Sequence, residues 1–240
     1  MSGLFYALGR QAAPAILKAK WMLHAATGNK ERVVESEYAL GCHLAEIYER
    51  KVGLLGDEEV DRQLASLGAD LKKRLKNKEL KFRFRCDRSE DPNALALPGG
   101  FIYISAPLYR LCRDERDELA FVIAHEIGHV VRGHASKRFL TSIAANALSR
   151  AGIRGGAAKR AMRDMLVKVM ERGYSQGQEF EADDFAFHLL RAAGMDPAAA
   201  PRALGRIRSL REASAEDWSE YFSTHPPLAD RIARLSKRSG

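Results

Sequence analysis

The chain carries the sequence His-Glu-Ile-Gly-His at residues 125–129, and these residue types at this spacing are suited to binding a metal ion. Histidines at positions i and i+4 of a helix lie about 40° apart around its axis, so His125 and His129 can reach one point beside it. Zinc accepts neutral imidazole nitrogens, and Glu126 is placed to take a proton from zinc-bound water. The motif therefore predicts one zinc ion per chain, with Glu126 as the general base.

The residues around this motif are apolar on nearly every side, which predicts a helix in the centre of a domain. We expect this helix to run from about Asp114 to Arg132, and its continuation to Ser149 is left open. Two histidines and a glutamate inside a domain need polar partners, and a metal ion is one such partner. The alternative at this point is a surface helix that carries two paired histidines.

A third protein ligand is expected, and the acidic segment at residues 178–184 contains the best candidate. At about 100° per helical residue, Glu179 and Asp183 lie on the same side as the apolar Leu190, whereas Glu181 lies on the opposite, solvated side. Glu179 is therefore the predicted third zinc ligand, and Asp183 is the predicted acceptor that orients a ligand histidine. The alternative is a helix N-terminus whose acidic residues favour the helix dipole.

The other histidines show no pattern of ligand spacing. His134 follows His129 by five residues, which places it about 140° away around a continuous helix. We therefore interpret His134 as a capping or surface histidine. Core or surface positions are likewise predicted for His24, His43 and His188.

The rest of the chain predicts an α+β fold that is mostly helical, with a small antiparallel sheet next to the histidine helix. Apolar residues recur at helical spacing from Glu31 to about Lys78, with a break near Gly53 and Gly56. Strands are then predicted, followed by further helices. We expect an N-terminal helical segment, residues 1–78, packed on a domain formed by residues 79–240. The predicted strands are Leu80–Cys86, Ala94–Leu97 and Phe101–Ser105, and the later helices are Ala157–Arg172 and Gln178–Ala193.

The charge, cysteine content and hydrophobicity of the chain limit its possible partners and its compartment. Much of the excess behind the net charge of +8 lies in three stretches, Lys72–Arg88, Arg150–Arg172 and Arg202–Arg211, which we interpret as solvated faces that could meet an anionic membrane surface. Aromatic residues do not alternate with the basic ones, so no specific nucleic acid is expected as a partner. The three cysteines form no Cys-x-x-Cys pair, which favours a reducing compartment. No signal peptide or apolar run of about 18–20 residues is seen, which favours a cytoplasmic protein or one peripheral to the membrane.

With these residues in place, the chain resembles the gluzincin peptidases that include the heat-shock protease HtpX, the CAAX prenyl endopeptidases and the Oma-type and BepA-type proteases. The family's membrane members have spanning helices, so the chain resembles the soluble core form. It also has Ser175-Gln176 where the family often has Ser-Arg. Four blocks carry the resemblance in the family's order: Asn93–Gly100, His125–His129, Glu179–Asp183, and Thr224–Pro227 with Arg231.

The resemblance implies a zincin-like domain whose zinc ligands are His125, His129 and Glu179, with Glu126 as the catalytic base. Asp183 then corresponds to a buried aspartate of the family.

Three further sets of residues take their roles from the resemblance alone. His225 matches a histidine that reaches the metal site, where it either steadies the oxyanion of the tetrahedral intermediate or is a displaceable extra ligand. Arg231 matches a partner in the same block. Asn93 and Ala94 lie on the edge strand to which an extended polypeptide substrate adds its backbone.

The activity implied is that of a zinc-dependent endopeptidase that hydrolyses peptide bonds with metal-activated water. Three alternatives are open. The chain could be a non-hydrolytic zinc-binding chaperone or adaptor on the same fold, or a latent enzyme whose cleft is blocked by His225 or a flanking helix. It could also be a basic helical module that binds anionic membranes or nucleic acid. The sequence indicates neither the substrate's identity nor the oligomeric state.

Overall fold

A computed structural model describes residues 30–139, 173–213, 225 and 228–239 of the 240-residue chain. Helices dominate this part, and three short strands between residues 83 and 105 form one sheet, so the α+β class is confirmed. A further helical stretch covers residues 134–139. In chain order the elements are α1 (Lys30–Val52), α2 (Glu58–Lys72), β1 (Arg83–Asp87), β2 (Ala94–Leu97), β3 (Phe101–Ser105), α3 (Ala106–Cys112), α4 (Arg116–Val131), α5 (Gln176–Ala193), α6 (Ala199–Ala213) and α7 (Leu228–Ser239).

The break between α1 and α2 lies where glycine and a capping residue predict it. Gly53 and Gly56 have φ values of 85° and 77°, in the left-handed region that glycine adopts without steric cost. Asp57 caps α2, because its Oδ1 accepts hydrogen bonds from the backbone N–H groups of Glu59 and Val60 at 3.0 and 3.2 Å. The N-terminal residues 1–29 lie outside the described part of the chain.

The sheet has the order β1-β3-β2 and is mixed. β2 and β3 pair antiparallel across the turn Pro98–Gly100, which confirms the expected strand pair. β1 instead runs parallel to β3, with Phe84 opposite Ile102, so the expected antiparallel sheet is corrected to a mixed one. Alternating apolar and polar residues determine which face of a strand is buried but not the direction of its neighbour. The segment between β1 and β2 carries the chain across to the far side of β3, and β3 then returns between them.

Helix α4 lies in the centre of the core and is buried from Glu118 to Val130. It approaches α5 closely at Gly128, where an added Cβ would lie 3.2 Å from the Cα and carbonyl oxygen of Ala182. The helix ends at Val131, and Gly133 then adopts a φ of 71°. The chain therefore turns before residues 134–139 and does not continue α4 as one straight helix.

Helix α5 has defined signals at both ends. Ser175 and Gln178 form a capping box at its start, and Gly194, with φ 73°, ends it in the left-handed conformation. The helix predicted at residues 157–172 lies outside the described residues. None of the helices that the structure describes is long and apolar enough to cross a membrane.

Candidate metal centre

The three polar residues of the α4 motif are buried side by side. His125, Glu126 and His129 expose 4%, 1% and 0% of their surface. The Nε2 atoms of the two histidines are 3.1 Å apart. Only one proton can lie between two nitrogens at this distance, so at least one nitrogen lone pair points into the space that the rings share.

Helix α5 adds Glu179 to these histidines. One carboxylate oxygen of Glu179 is 3.2 Å from Nε2 of His129, and the other is 3.5 Å from Nε2 of His125. Glu179 is fully buried, whereas the Glu181 side chain is 61% exposed. Glu179 therefore lies on the face of α5 that packs on α4, as its angular position on the helix predicts.

His225, which lies 46 residues after Glu179 in the sequence, contacts the same carboxylate. Its Nδ1 is 3.1 Å from both oxygens of Glu179, and its Nε2 is 3.8 Å from Oε1 of Glu126. One donor atom from each of His125, His129, Glu179 and His225 lies within 4.8 Å of the others. Three segments that are distant in sequence thus bring together four side chains of types that can bind a metal ion.

Arg231 on α7 ties this cluster to Asp183. Its Nη1 is 2.7 Å from Glu179, while its Nη2 and Nε bind the two oxygens of Asp183 at 2.7 and 2.8 Å. The other contact of Asp183 is to Nδ1 of His125, at 2.9 Å. Arg231, Glu179 and Asp183 are all fully buried, so the guanidinium balances two carboxylates that have no access to water.

These contacts determine the charges in the cluster. Burial alone would raise the pKa of Glu179, but the charges of His225 and Arg231 hold it well below its usual range. Burial and Arg231 would lower the pKa of His125, but hydrogen bonds to Asp183 and Glu179 raise it to about 9. Burial lowers the pKa of His129 well below its ordinary value. Burial would also raise the pKa of Asp183, but Arg231 and the hydrogen bond to His125 lower it. Glu179 and Asp183 are therefore ionised, and they favour a positive group between the imidazoles.

The donor set fits a divalent metal ion such as zinc. Zinc takes imidazole nitrogens and carboxylate oxygens, and two histidines with one glutamate are a ligand set of zinc enzymes. A further observation concerns Glu126, whose Oε2 is buried and has no hydrogen-bond partner within the described part of the chain. A buried polar atom left unpaired is costly, so a polar group belongs beside this oxygen.

Residues 58–239 match the sequence pattern of peptidase family M48. This chain belongs to that family. It is similar to metalloprotease LoiP of Escherichia coli K12, with 32% identity over 155 residues that cover 62% of this chain and 60% of LoiP. The beta-barrel assembly-enhancing protease of the same strain is 26% identical over 197 residues, which cover 78% of this chain and 40% of that protein. The mitochondrial metalloendopeptidase OMA1 of Schizosaccharomyces pombe is 28% identical over 167 residues, which cover 66% of this chain and 47% of OMA1. The chain thus spans less than two thirds of each of these relatives.

Membership of family M48 confirms the resemblance drawn from the four sequence blocks. Two of those blocks supply the histidines of α4 and the Glu179 of α5. From the last block, His225 and Arg231 lie at the centre, while Thr224, Pro226 and Pro227 lie outside the described residues. The metal ligation and the catalytic roles assigned to these side chains stay predictions.

The block at Asn93 and Ala94 lies at the free edge of the sheet, beside the centre of this M48 domain. Asn93 bonds to β3, because its carbonyl accepts from Ser105 N–H at 2.9 Å. Its own N–H donates to Ser105 Oγ at 2.8 Å. Since antiparallel residues alternate in direction, the N–H and C=O of Ala94 point away from β3. Nε2 of His225 lies 3.5 Å from the Ala94 carbonyl oxygen.

His134 belongs to the centre, so its interpretation as a capping or surface histidine is wrong. It is buried, and its Nδ1 is 3.1 Å from Nδ1 of His129, while its Nε2 is 3.3 Å from Glu181. The angle of about 140° assumed a continuous helix. The turn at Gly133 ends that phase relation and brings His134 back beside His129. The sequence signal was the glycine itself, in the position where helices often end.

Tyr174 is a second residue that the sequence did not reveal. Its ring stacks on His129 with the centroids 3.6 Å apart and an interplanar angle of 12°. The guanidinium carbon of Arg138 lies 4.2 Å from the centroid of the same Tyr174 ring. Burial raises the pKa of Tyr174, so its hydroxyl keeps its proton. Its position next to the helix cap Ser175 is the one local hint, because an apolar residue before a cap often packs inward.

Proposed function

We propose that this M48 family member is a zinc-dependent endopeptidase. The observation that carries the proposal is the buried cluster in which donor atoms of His125, His129, Glu179 and His225 all lie within 4.8 Å of one another, with Glu126 beside them. A catalytic zinc site has three protein ligands and leaves one position for water or substrate. Two imidazoles and one carboxylate from two packed helices would supply these three ligands.

Each residue of the centre has a defined part in this proposal. His125, His129 and Glu179 would hold one zinc ion, which would supply Lewis acidity to polarise a carbonyl and lower the pKa of bound water towards about 7. Asp183 accepts a hydrogen bond from Nδ1–H of His125, which leaves Nε2 free as a donor to the metal. Glu126 takes the proton of the attacking water at its unpaired Oε2 and passes it to the leaving amine.

An extended polypeptide binds along the free edge of β2 in this proposal. The N–H and C=O of Ala94 are directed to that edge and can pair with the backbone of a substrate strand. His225 is near both reacting partners, since its Nε2 faces the Ala94 carbonyl at 3.5 Å and Glu126 at 3.8 Å. With a substrate bound, this nitrogen can donate a hydrogen bond to the developing oxyanion.

A latent form of the same enzyme is the second candidate. The observation that favours it is that His225 contacts Glu179 through Nδ1 and the Ala94 carbonyl through Nε2 at the same time. In this position its ring lies both at the metal ligands and at the edge where a substrate strand would pair. Displacement of His225 is then a condition for cleavage. A non-hydrolytic chaperone or adaptor is disfavoured because Glu126 is intact.

Metal content and casein cleavage test the proposal together. We expect about one zinc per chain by elemental analysis, and cleavage that a chelator removes and added zinc restores. Glu126→Gln should keep the zinc and the melting temperature but lose cleavage, because an amide cannot take the proton. Cleavage by Glu126→Gln at the wild-type rate would refute the mechanism.

His225→Ala separates the remaining readings. A zinc-loaded but inactive wild type whose activity appears in His225→Ala supports latency. If both zinc-loaded proteins are inactive, latency that is relieved by removing the His225 ring is refuted and the adaptor is favoured. If the wild type binds no zinc, the metal site itself is refuted.

A further inference from the structure

The second histidine of the α4 motif contacts His134, which in turn contacts Glu181, and the proposed mechanism uses neither of these two residues. Nδ1 of His129 lies 3.1 Å from Nδ1 of His134. The opposite nitrogen of His134, Nε2, lies 3.3 Å from a carboxylate oxygen of Glu181. His134 is buried, while the Glu181 side chain is 61% exposed, so the three residues lead from the centre to the surface of α5.

We propose that His134 and Glu181 are positioning residues that keep His129 in the tautomer whose Nε2 lone pair faces the metal. This inference rests on the proposed zinc site. A neutral imidazole carries one proton, so a histidine that binds a metal through Nε2 carries that proton on Nδ1. Nδ1–H of His129 then donates to Nδ1 of His134, which must be an acceptor. The proton of His134 is consequently on Nε2, from which it donates to Glu181.

In this row of two hydrogen bonds the proton of each histidine has one allowed position. The carboxylate of Glu181 determines the direction of both bonds, from His134 to Glu181 and from His129 to His134. With no acceptor beyond His134, its proton could equally lie on Nδ1 and face the proton of His129. That arrangement sets two N–H groups against each other at 3.1 Å. Relief would require His129 to carry its proton on Nε2, where it can no longer donate a lone pair to the metal.

The two ligand histidines are thus held by different means. His125 has a carboxylate in direct contact, because Asp183 is 2.9 Å from its Nδ1. On its Nδ1 side His129 reaches a carboxylate only through the imidazole of His134, and its ring face is held by Tyr174, with the ring centroids 3.6 Å apart. The ring of His129 is therefore fixed in plane by a hydrogen bond and out of plane by stacking.

The turn at Gly133 brings His134 into contact with His129. A straight helix would separate residues 129 and 134 by about 140°. Gly133 instead has a φ of 71°, in the region that favours glycine, and residues 134–139 start a new helical direction. His134 thereby returns over the last turn of α4 and meets the ring of His129 edge to edge.

Zinc affinity of the full chain, measured by competition with a chromophoric chelator, tests the inference. His134→Phe keeps the ring but removes the acceptor, and we expect the zinc dissociation constant to rise by about 10- to 100-fold. His134→Asn should restore most of the affinity, because Oδ1 of asparagine stands in place of the histidine Nδ1 and accepts from His129. His188→Phe is the matched control, since His188 is exposed on α5 and its substitution should leave the affinity unchanged.

A second readout separates positioning from general loss of structure. The absorption spectrum of the cobalt-substituted protein reports the ligand geometry, and it should change in His134→Phe but not in His134→Asn or His188→Phe. Glu181→Ala, a surface substitution that leaves the core intact, should weaken zinc binding in the same direction by a smaller factor.

The outcomes are distinguishable from failure of the zinc site itself. If the wild type binds zinc while His134→Phe and Glu181→Ala bind it equally well with the wild-type cobalt spectrum, the positioning role is overturned. Should His134→Phe fail to fold, an unchanged affinity and spectrum in Glu181→Ala overturn it alone. A wild type that binds no zinc overturns the proposed function and this inference together.

Discussion

Replacing Arg231 with methionine removes the positive charge that balances the two buried carboxylates of the centre. The substitution keeps a long side chain but leaves Glu179 and Asp183, both fully buried, without contacts of 2.7, 2.7 and 2.8 Å. Removing one partner of a buried ion pair costs about 3–5 kcal/mol. For a domain of this size, each kcal/mol lowers the melting temperature by about 2–4 °C. We therefore expect the melting temperature of the metal-stripped protein to fall by about 6–20 °C.

Circular dichroism during heating measures this change, and Arg234→Met is the matched control. Arg234 lies on the same helix and contacts Asp184 at 2.7 Å, but its side chain is 39% exposed. An exposed ion pair contributes about 1 kcal/mol or less, so the control should lose no more than about 4 °C. Added zinc should recover part of the loss in Arg231→Met, because a cation beside Glu179 replaces some of the missing charge. Equal melting temperatures for the two variants would refute the assignment of Arg231 as the charge balance of the centre.

Two further predictions concern the substrate edge and the core. Ala94→Pro removes an N–H that faces the free edge of β2, so kcat/KM for casein should fall about tenfold with little change in melting temperature. Leu95→Pro, in the register that bonds to β3, should instead lower the melting temperature; wild-type cleavage by Ala94→Pro would exclude pairing at this edge. Burial raises the pKa of Asp87 in the folded protein above its value in the unfolded chain. The contribution of Asp87 to stability is therefore fully present below its pKa in the unfolded chain, and it is lost as the pH rises through its pKa in the folded protein. Urea unfolding at about pH 4 and pH 7 should therefore show a smaller loss of stability with rising pH in Asp87→Asn than in the wild type, and equal losses would contradict this.

Helical periodicity predicts side-chain direction well within one uninterrupted helix. On α5 it separates Glu179, which faces the α4 histidines, from Glu181, which is exposed, although the two residues are only two positions apart. The same rule failed between His129 and His134, because a single glycine in the left-handed conformation lies between them. A phase argument is valid only as far as the backbone hydrogen bonds of the helix continue.

Long-range partners were beyond such local rules. Arg231 is 106 residues from His125 in sequence, and no periodicity relates them; its place beside the centre was suggested only by the family resemblance. The direction of β1 was similarly undetermined, because the pattern of buried residues in a strand is the same whether its neighbour is parallel or antiparallel. Tyr174 had no motif at all, since stacking on His129 depends on how α4 and α5 approach each other.

The contact between α7 and the metal centre has a consequence for how the protein is made. The histidine helix leaves the ribosome first, Glu179 and Asp183 follow, and Arg231 is the last of these residues to be synthesised. A nascent chain that has not yet reached Arg231 carries two carboxylates whose burial lacks the compensating charge of this arginine. Closure of the centre is therefore unfavourable until late in translation, so a prematurely terminated chain that lacks α7 does not bury this pair stably.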